Sequence, residues 1–208
     1  MRTNTRMSAP PKHRRAIVDA AVTLFRQKGY SATGLSDIVE LSGAPKGSLY
    51  HYFPDGKAQI ADAAVREAGR RVVATVEELA LKAKSAGELV KAHARLLAKW
   101  MSQSGWRDGS PITTVLLENA PSDPEVTAAG REAHAEWRRI LAARLAADGF
   151  PARRAERLAG LAIAALDGAL VQARVEQSGT PLLAAAEELD SLLAAGRKAP
   201  VRKRPRRR

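Results

Sequence analysis

The chain has 208 residues, of which 45% are hydrophobic and 27% are charged, and it has no cysteine. These values are typical of a soluble globular protein, and the absence of cysteine excludes a disulfide framework and a thiolate metal site. No window approaches the roughly 18 apolar residues of a membrane span, and the basic N-terminus lacks the apolar segment of a secretory signal. We therefore expect a cytoplasmic protein with no membrane partner.

The net charge of +12 is concentrated at the two ends of the chain. Residues 1–15 carry five basic side chains and no acidic one, residues 197–208 carry eight basic side chains, and residues 16–196 carry 21 basic against 22 acidic ones. We expect a flexible basic arm over residues 1–11 and a disordered basic tail over residues 197–208. The tail either adds affinity for any DNA or acts only as a solubility element.

Apolar residues recur at helical spacing between glycine and proline breaks, and no stretch alternates with the period of a strand. The sequence therefore predicts an all-α fold of about nine helices. The first runs over residues 12–28 and ends at Gly29, Thr33 caps a short second helix, and Pro45 lies in the first turn of a third. Two short helices joined by a turn at Gly43 make a helix-turn-helix, so residues 12–56 predict a three-helix DNA-binding domain.

Longer helices are predicted at residues 56–81, 86–102, 111–120, 122–148, 151–178 and 181–195, which places a second helical domain over residues 57–196. The run LAGLAIAALDGALV (158–171) is apolar nearly all round, which indicates a helix that is central or covered by a partner. The last helix has one apolar face. We expect these two helices from each of two copies to form a homodimer interface. Its predicted contacts are Leu166, Leu170, Leu182, Ala186, Leu189 and Leu193.

The segment GAPKGSLYHYFPDGK (43–57) gathers rings and hydrogen-bond donors in a chain that is otherwise poor in aromatic residues. Leu49 and Phe53 are four residues apart, so they share a helix face and are expected to anchor the third helix. The other polar side chains are donors of the kind that phosphates and base edges accept. Gly47 lets the backbone approach a partner closely.

Residues 29–57, GYSATGLSDIVELSGAPKGSLYHYFPDGK, resemble the DNA-binding domain of TetR-family transcriptional repressors, including its KGSLYxYF pattern. Phe53 and Lys57 are separated by one residue more than in most of the family. That spacing and GSPITTVLLENA (109–120) resemble the LmrA/YxaF-like branch, which includes regulators of drug-resistance and efflux operons. The resemblance implies a homodimer that binds a palindromic operator in double-stranded DNA, is released by a small-molecule effector and uses no cofactor.

The resemblance also implies site residues. Lys46 and Gly47 would meet base edges in the major groove, and the other polar residues would mostly meet phosphates. The complete expected DNA-binding set is Thr33, Lys46, Gly47, Ser48, Tyr50, His51, Tyr52 and Lys57. The alternative is that the tyrosines are ordinary half-buried aromatics and the lysines are solvated.

An effector cavity is expected in the second domain, because all three tryptophans fall in the part of the chain where this family forms one. Its expected lining is His93, Leu97, Trp100, Met101, Glu118, His134, Trp137 and Asp167. A flat apolar or cationic molecule would stack on the indoles while Glu118 or Asp167 meets a positive charge. The alternative is that these rings fill the core.

Two other functional classes compete with a ligand-responsive regulator. An enzyme is disfavoured because the four histidines are scattered, with neither an H-E-x-x-H nor a G-x-S-x-G motif. An architectural DNA-binding protein is favoured only by the basic ends. The nearly neutral, well-patterned helical body argues against it, because binding by charge alone needs no such body.

Overall fold

The computed structural model describes residues 12–196, so the predicted basic arm and basic tail lie outside the described residues. Within that range the chain is all-α, as predicted, and the helix ends agree with the sequence prediction to within about two residues. The helices are α1 (Lys12–Lys28), α2 (Leu35–Ser42), α3 (Lys46–Tyr52), α4 (Lys57–Lys82), α5 (Ala86–Gln103), α6 (Pro111–Asn119), α7 (Pro124–Ala147), α8 (Ala152–Glu176) and α9 (Thr180–Gly196).

The described chain divides into two compact units, and the division does not follow the predicted boundary at residues 56–57. One unit comprises residues 12–69 together with Pro111–Glu132, and we call it the helix-turn-helix unit. The other comprises Arg70–Ser110 together with residues 133–196, and we call it the C-terminal unit. Helix α6 belongs to the first of these because it packs against α1.

In the helix-turn-helix unit, α3 is anchored by the two residues that the sequence predicted. Leu49 is fully buried and Phe53 is 1% exposed, and α3 packs against α1. The guanidinium carbon of Arg14 lies 5.3 Å from the centroid of the Phe53 ring. The anchored face of α3 therefore leaves its polar side chains on the outer surface.

The start of α2 differs from the prediction, because its N-cap is Gly34 and not Thr33. The Asp37 carboxylate accepts a hydrogen bond from the Gly34 amide at 3.1 Å. Thr33 is fully buried, and its hydroxyl donates to the Gly29 carbonyl at 2.7 Å. A hydroxyl that is removed from water needs such a partner, so Thr33 serves to hold the α1–α2 turn (residues 29–34) closed.

In the C-terminal unit, α5, α8 and α9 pack against one another around an apolar core. Helix α9 approaches α5 closely at Gly87, where an added Cβ would lie 1.8 Å from the Asp190 carboxylate. The same Asp190 forms an ion pair with Lys91 of α5. The glycine therefore allows the close contact between the two helices, and the charged pair fixes its position.

One helix within the described residues, α8, is long and apolar enough to cross a membrane by length and composition, although the sequence prediction had excluded such a window. This is weak evidence for a membrane span, because the central helix of a soluble core meets the same criteria. Only 44% of its apolar window is buried, so a large part of that apolar surface is exposed on the protomer.

Candidate DNA-binding surface and internal cavity

Helix α3 presents polar groups on the outer surface of the helix-turn-helix unit. Lys46 and His51 are exposed, and Tyr50 is 50% exposed. No atom lies within 4 Å of a Cβ built on Gly47, so the backbone there is open to a partner. Half-buried Tyr52 packs edge-on against His51, with ring centroids 4.8 Å apart. The N-terminal part of α3 therefore offers donors and an unobstructed backbone on one accessible surface.

Thr33 and Ser48, two of the predicted DNA contacts, are less accessible than Lys46, Tyr50 and His51. Thr33 cannot bring its hydroxyl to a phosphate because it is fully buried, so its assignment as a DNA-contacting side chain is wrong. Half-buried Ser48 lies within α3, where its amide donates to the Pro45 carbonyl at 2.8 Å. The structure thus keeps α3 as the candidate surface and removes Thr33 from it.

Lys57 is already in contact with the α1–α2 turn. Its ammonium nitrogen lies 4.3 Å from the centroid of the Tyr30 ring and donates to the Ser31 carbonyl at 3.3 Å. Burial lowers the pKa of Lys57, and the nearby carboxylates of Glu118 and Asp37 oppose that shift. A phosphate contact by Lys57 stays a prediction, and it would have to share the ammonium group with this turn.

Two of the predicted effector residues meet in the C-terminal unit. The rings of His93 and Trp137 pack edge to face with centroids 5.3 Å apart. They line a cavity of about 10 Å³, whose other lining residues are Val76, Leu89, Val90, Leu141, Ile163 and Leu166. Burial lowers the pKa of His93 to about 4, so its imidazole is neutral near pH 7. The cavity is therefore mostly apolar and uncharged, and two of its lining side chains, His93 and Trp137, are able to form hydrogen bonds.

The other six predicted lining residues are not at this cavity. Met101 is buried in the core, Leu97 packs against that core, and Trp100 is 45% exposed. His134 and Asp167 are half-buried. Glu118 belongs to the helix-turn-helix unit, where its carboxylate accepts hydrogen bonds from the α1–α2 turn, so a contact between Glu118 and an effector stays a prediction.

The residues predicted for the dimer interface are buried inside the protomer. Their exposed fractions range from 0% to 8%; they are Leu166, Leu170, Leu182, Ala186, Leu189 and Leu193. The assignment of these side chains to an interface is therefore wrong, because each already fills the core of its own chain. The sequence pattern identified an apolar face of α8 and α9, but it did not show whether that face packs inside the protomer or against a second copy of the chain.

A second apolar face of α8 lies on the opposite side of the helix and was not singled out from the sequence. It consists of the exposed residues Leu161, Ala164, Gly168, Val171 and Val175, which we call the α8 stripe. Their alternating spacing of three and four residues is that of a helix–helix seam. Val171 is 57% exposed and Val175 is 78% exposed, so the protomer leaves this face uncovered. The spacing is visible in the sequence and could have been recognised there.

The chain is similar to known bacterial regulators over most of its length. A family model described as "Bacterial regulatory proteins, tetR family" matches residues 17–64, and one described as "Transcriptional regulator LmrA/YxaF-like, C-terminal domain" matches residues 86–188. The uncharacterized HTH-type transcriptional regulator Rv0196 of Mycobacterium tuberculosis is 36% identical over 187 residues, covering 88% of this chain and 94% of that protein. The HTH-type transcriptional regulator LmrA of Bacillus subtilis is 31% identical over 170 residues, covering 82% of this chain and 90% of that protein.

A solved structure has the same fold. It is the TetR family transcriptional regulator CifR, a cysteine mutant complexed with 26 bp double-strand operator DNA. Its TM-score is 0.70 at 22% identity, with 89% of this chain and 98% of that chain covered.

These relatives are transcriptional regulators and not enzymes, which rejects the enzyme alternative. The resemblance carried by residues 29–57 and 109–120 is confirmed by the two matching family models. The helical architecture and the exposed third helix agree with that result. The chain belongs to the TetR family of DNA-binding transcriptional regulators, in its LmrA/YxaF-like branch.

Proposed function

We propose that this regulator is a homodimeric, cytoplasmic repressor that binds a palindromic operator through α3 and is released by a small apolar effector. The observation that carries the proposal is the orientation of α3. Leu49 and Phe53 are buried, while Lys46, Tyr50 and His51 point outward. A helix held in this way can enter the major groove with its N-terminal residues against base edges.

Removing individual donors from α3 tests this surface. Lys46→Ala is expected to cost about 1–3 kcal/mol at the preferred operator and to reduce discrimination between operators, because a base contact carries sequence information. Tyr50→Phe is expected to weaken binding to all sequences by about 0.5–1.5 kcal/mol, because it removes a phosphate donor. Fluorescence anisotropy measures the affinity of each variant for a selected duplex and for a scrambled duplex over a range of salt concentrations.

The matched control is Lys99→Ala, which removes the same charge from an exposed position in the C-terminal unit. Its effect should be smaller and equal on both duplexes. If the Lys46 variant loses no more affinity for the selected duplex than the Lys99 variant, α3 does not read the operator in the proposed way.

A second copy of the chain is the occupant we propose for the α8 stripe. The stripe is apolar, and over residues 161–175 it extends about 21 Å at 1.5 Å per residue. Ala164 and Gly168 at its middle lack large side chains, so two such helices could approach closely. An interface of this kind pairs identical surfaces about a two-fold axis, which matches the two-fold symmetry of a palindromic operator.

The cavity between His93 and Trp137 is the proposed effector site. At about 10 Å³ it has room for little more than one water molecule, so an effector must displace side chains to enter. None of its lining residues is acidic, which favours an uncharged apolar effector over a cationic one. Release of DNA would then be a population shift toward the conformation with the opened cavity.

The small cavity also favours a second candidate, a DNA-binding protein that responds to no effector. The two are distinguished by titrating compounds into the operator complex of a Trp100→Phe/Trp106→Phe variant, in which Trp137 is the remaining tryptophan, and by following Trp fluorescence and anisotropy together. A compound that releases DNA and quenches the Trp137 signal supports the effector-responsive repressor. Release without a change in that signal argues against this cavity as the effector site.

A further inference from the structure

Glu118, near the end of α6, binds the backbone of the α1–α2 turn with both carboxylate oxygens. Oε1 accepts a hydrogen bond from the Tyr30 amide at 2.7 Å, and Oε2 accepts one from the Ser31 amide at 2.7 Å. Successive backbone amides that point into one concavity form an anion-binding site, and hydrogen bonds to an ionised acceptor are stronger than neutral ones. This contact joins segments 87 and 88 residues apart in the sequence.

The surroundings of this contact are fitted to the carboxylate. Gly29 has a φ of +88°, and a Cβ added there would lie 2.7 Å from Glu118 Oε1, so a larger residue would displace the acceptor. The Lys57 ammonium group covers the Tyr30 ring and donates to the Ser31 carbonyl. Burial alone would raise the pKa of Glu118, but the hydrogen bonds from Ser31 and Tyr30 and the charge of Lys57 hold it below its usual value.

The turn held by Glu118 determines where α2 begins. Within it, the Thr33 amide donates to the Tyr30 carbonyl at 3.1 Å, and the buried Thr33 hydroxyl donates to the Gly29 carbonyl at 2.7 Å. Gly34, the N-cap of α2, follows at once. A shift of the Tyr30 and Ser31 backbone would therefore move the start of α2, and with it the first half of the helix-turn-helix.

We propose that Glu118 is a positioning residue for DNA binding, which acts as a built-in anion of the α1–α2 turn and fixes α2 and α3 in the orientation that a DNA groove accepts. It contacts no DNA itself in this role. The proposal depends on the DNA binding of the family and not on the proposed effector.

The Glu118→Gln variant separates this role from a purely electrostatic effect, because the two explanations predict opposite changes in DNA affinity. Loss of an acidic side chain raises the net charge by one unit, which on charge alone should tighten binding to every DNA sequence. Loss of positioning should instead weaken DNA binding. The glutamine side chain has one acceptor oxygen and one donor NH₂ group, so it can accept a hydrogen bond from only one of the Tyr30 and Ser31 amides and would release the other. The matched control is Glu125→Gln, which makes the same charge change at an exposed position of the same unit.

The experiment uses the full-length protein and a duplex that the wild-type protein selects from a random library. We expect the Glu118→Gln variant to bind that duplex about tenfold more weakly than the Glu125→Gln variant at equal salt, with unchanged circular dichroism. The Glu118→Asp side chain is one methylene too short to reach both amides, so the affinity of this variant should lie between those of the Glu118→Gln and Glu125→Gln variants. Equal or tighter binding by Glu118→Gln overturns the proposal.

Amide hydrogen exchange followed by NMR gives a second readout, and its wild-type measurement does not depend on the folding of the variant. In the wild-type protein the Tyr30 and Ser31 amides should be protected, and Glu118→Gln should release them while amides of α8 stay unchanged. If the wild-type amides exchange as fast as unbonded ones, Glu118 does not hold the turn. Failure of the wild-type protein to select any duplex would instead contradict the proposed function.

Discussion

Replacing Val171 with glutamate is expected to prevent the proposed dimer from forming while each protomer stays folded. Val171 lies in the α8 stripe and is 57% exposed on the protomer, so a glutamate there is harmless to the isolated chain. Between two copies the charge would be removed from water without a partner, at a cost of about 3–5 kcal/mol. Two-fold symmetry places this penalty on both chains. Sedimentation velocity of the variant and the wild-type protein measures the change.

Two other substitutions make the result specific. Ala143→Glu adds the same charge at an exposed site of α7, outside the α8 stripe, and should leave the dimer intact. Leu189→Glu places the charge in the protomer core, where Leu189 is 6% exposed, and should unfold the chain instead. A dimeric Val171→Glu protein, or a monomeric wild-type protein, would show that the α8 stripe is not the interface.

Trp137→Ala is expected to lower the free energy of unfolding by about 3–5 kcal/mol, the usual cost of removing a large buried ring. Trp137 is 8% exposed and packs with the core of the C-terminal unit as well as with His93. Chemical denaturation followed by circular dichroism gives the value. The loss reflects both the apolar surface returned to water and the enlarged cavity.

Trp100→Ala is the matched control, since it removes the same side chain from a position that is 45% exposed. It should change the stability by much less, because surface substitutions usually stay within about 0.5 kcal/mol. If Trp137→Ala is no more destabilising than Trp100→Ala, the Trp137 ring is not the packed core group described above. A folded Trp137→Ala protein that keeps operator affinity but is no longer released by a compound would support the cavity as the effector site.

The sequence predicted best the features that local spacing determines. Helices end where glycine or proline interrupts a periodic pattern, and Gly43 closes α2 in the left-handed conformation that favours glycine. Leu49 and Phe53 were identified as anchors because a separation of four residues places both on one face. Their burial then left Lys46 and Tyr50 outside, so the candidate DNA surface followed from the same local argument.

The failures arose where tertiary contacts decide. Thr33 and Gly34 are both acceptable N-caps, and the choice between them depends on the buried bond from Thr33 to Gly29. The contact of Glu118 with the α1–α2 turn could not be predicted, because nothing in the sequence relates it to amides 87 and 88 residues away. A helix as apolar as α8 has two faces that could be covered, and periodicity alone could not assign one to the core and the other to a partner.

The membership of α6 in the helix-turn-helix unit bears on the construction of hybrid regulators. A DNA-binding head transplanted as residues 12–56 would leave behind the carboxylate that binds Tyr30 and Ser31, as well as Lys57. The recipient protein would then have to supply an equivalent acceptor from its own sixth helix. A junction that carries residues 12–69 and Pro111–Glu132 together would transfer the head with its support, and should give hybrids that keep the donor's operator preference.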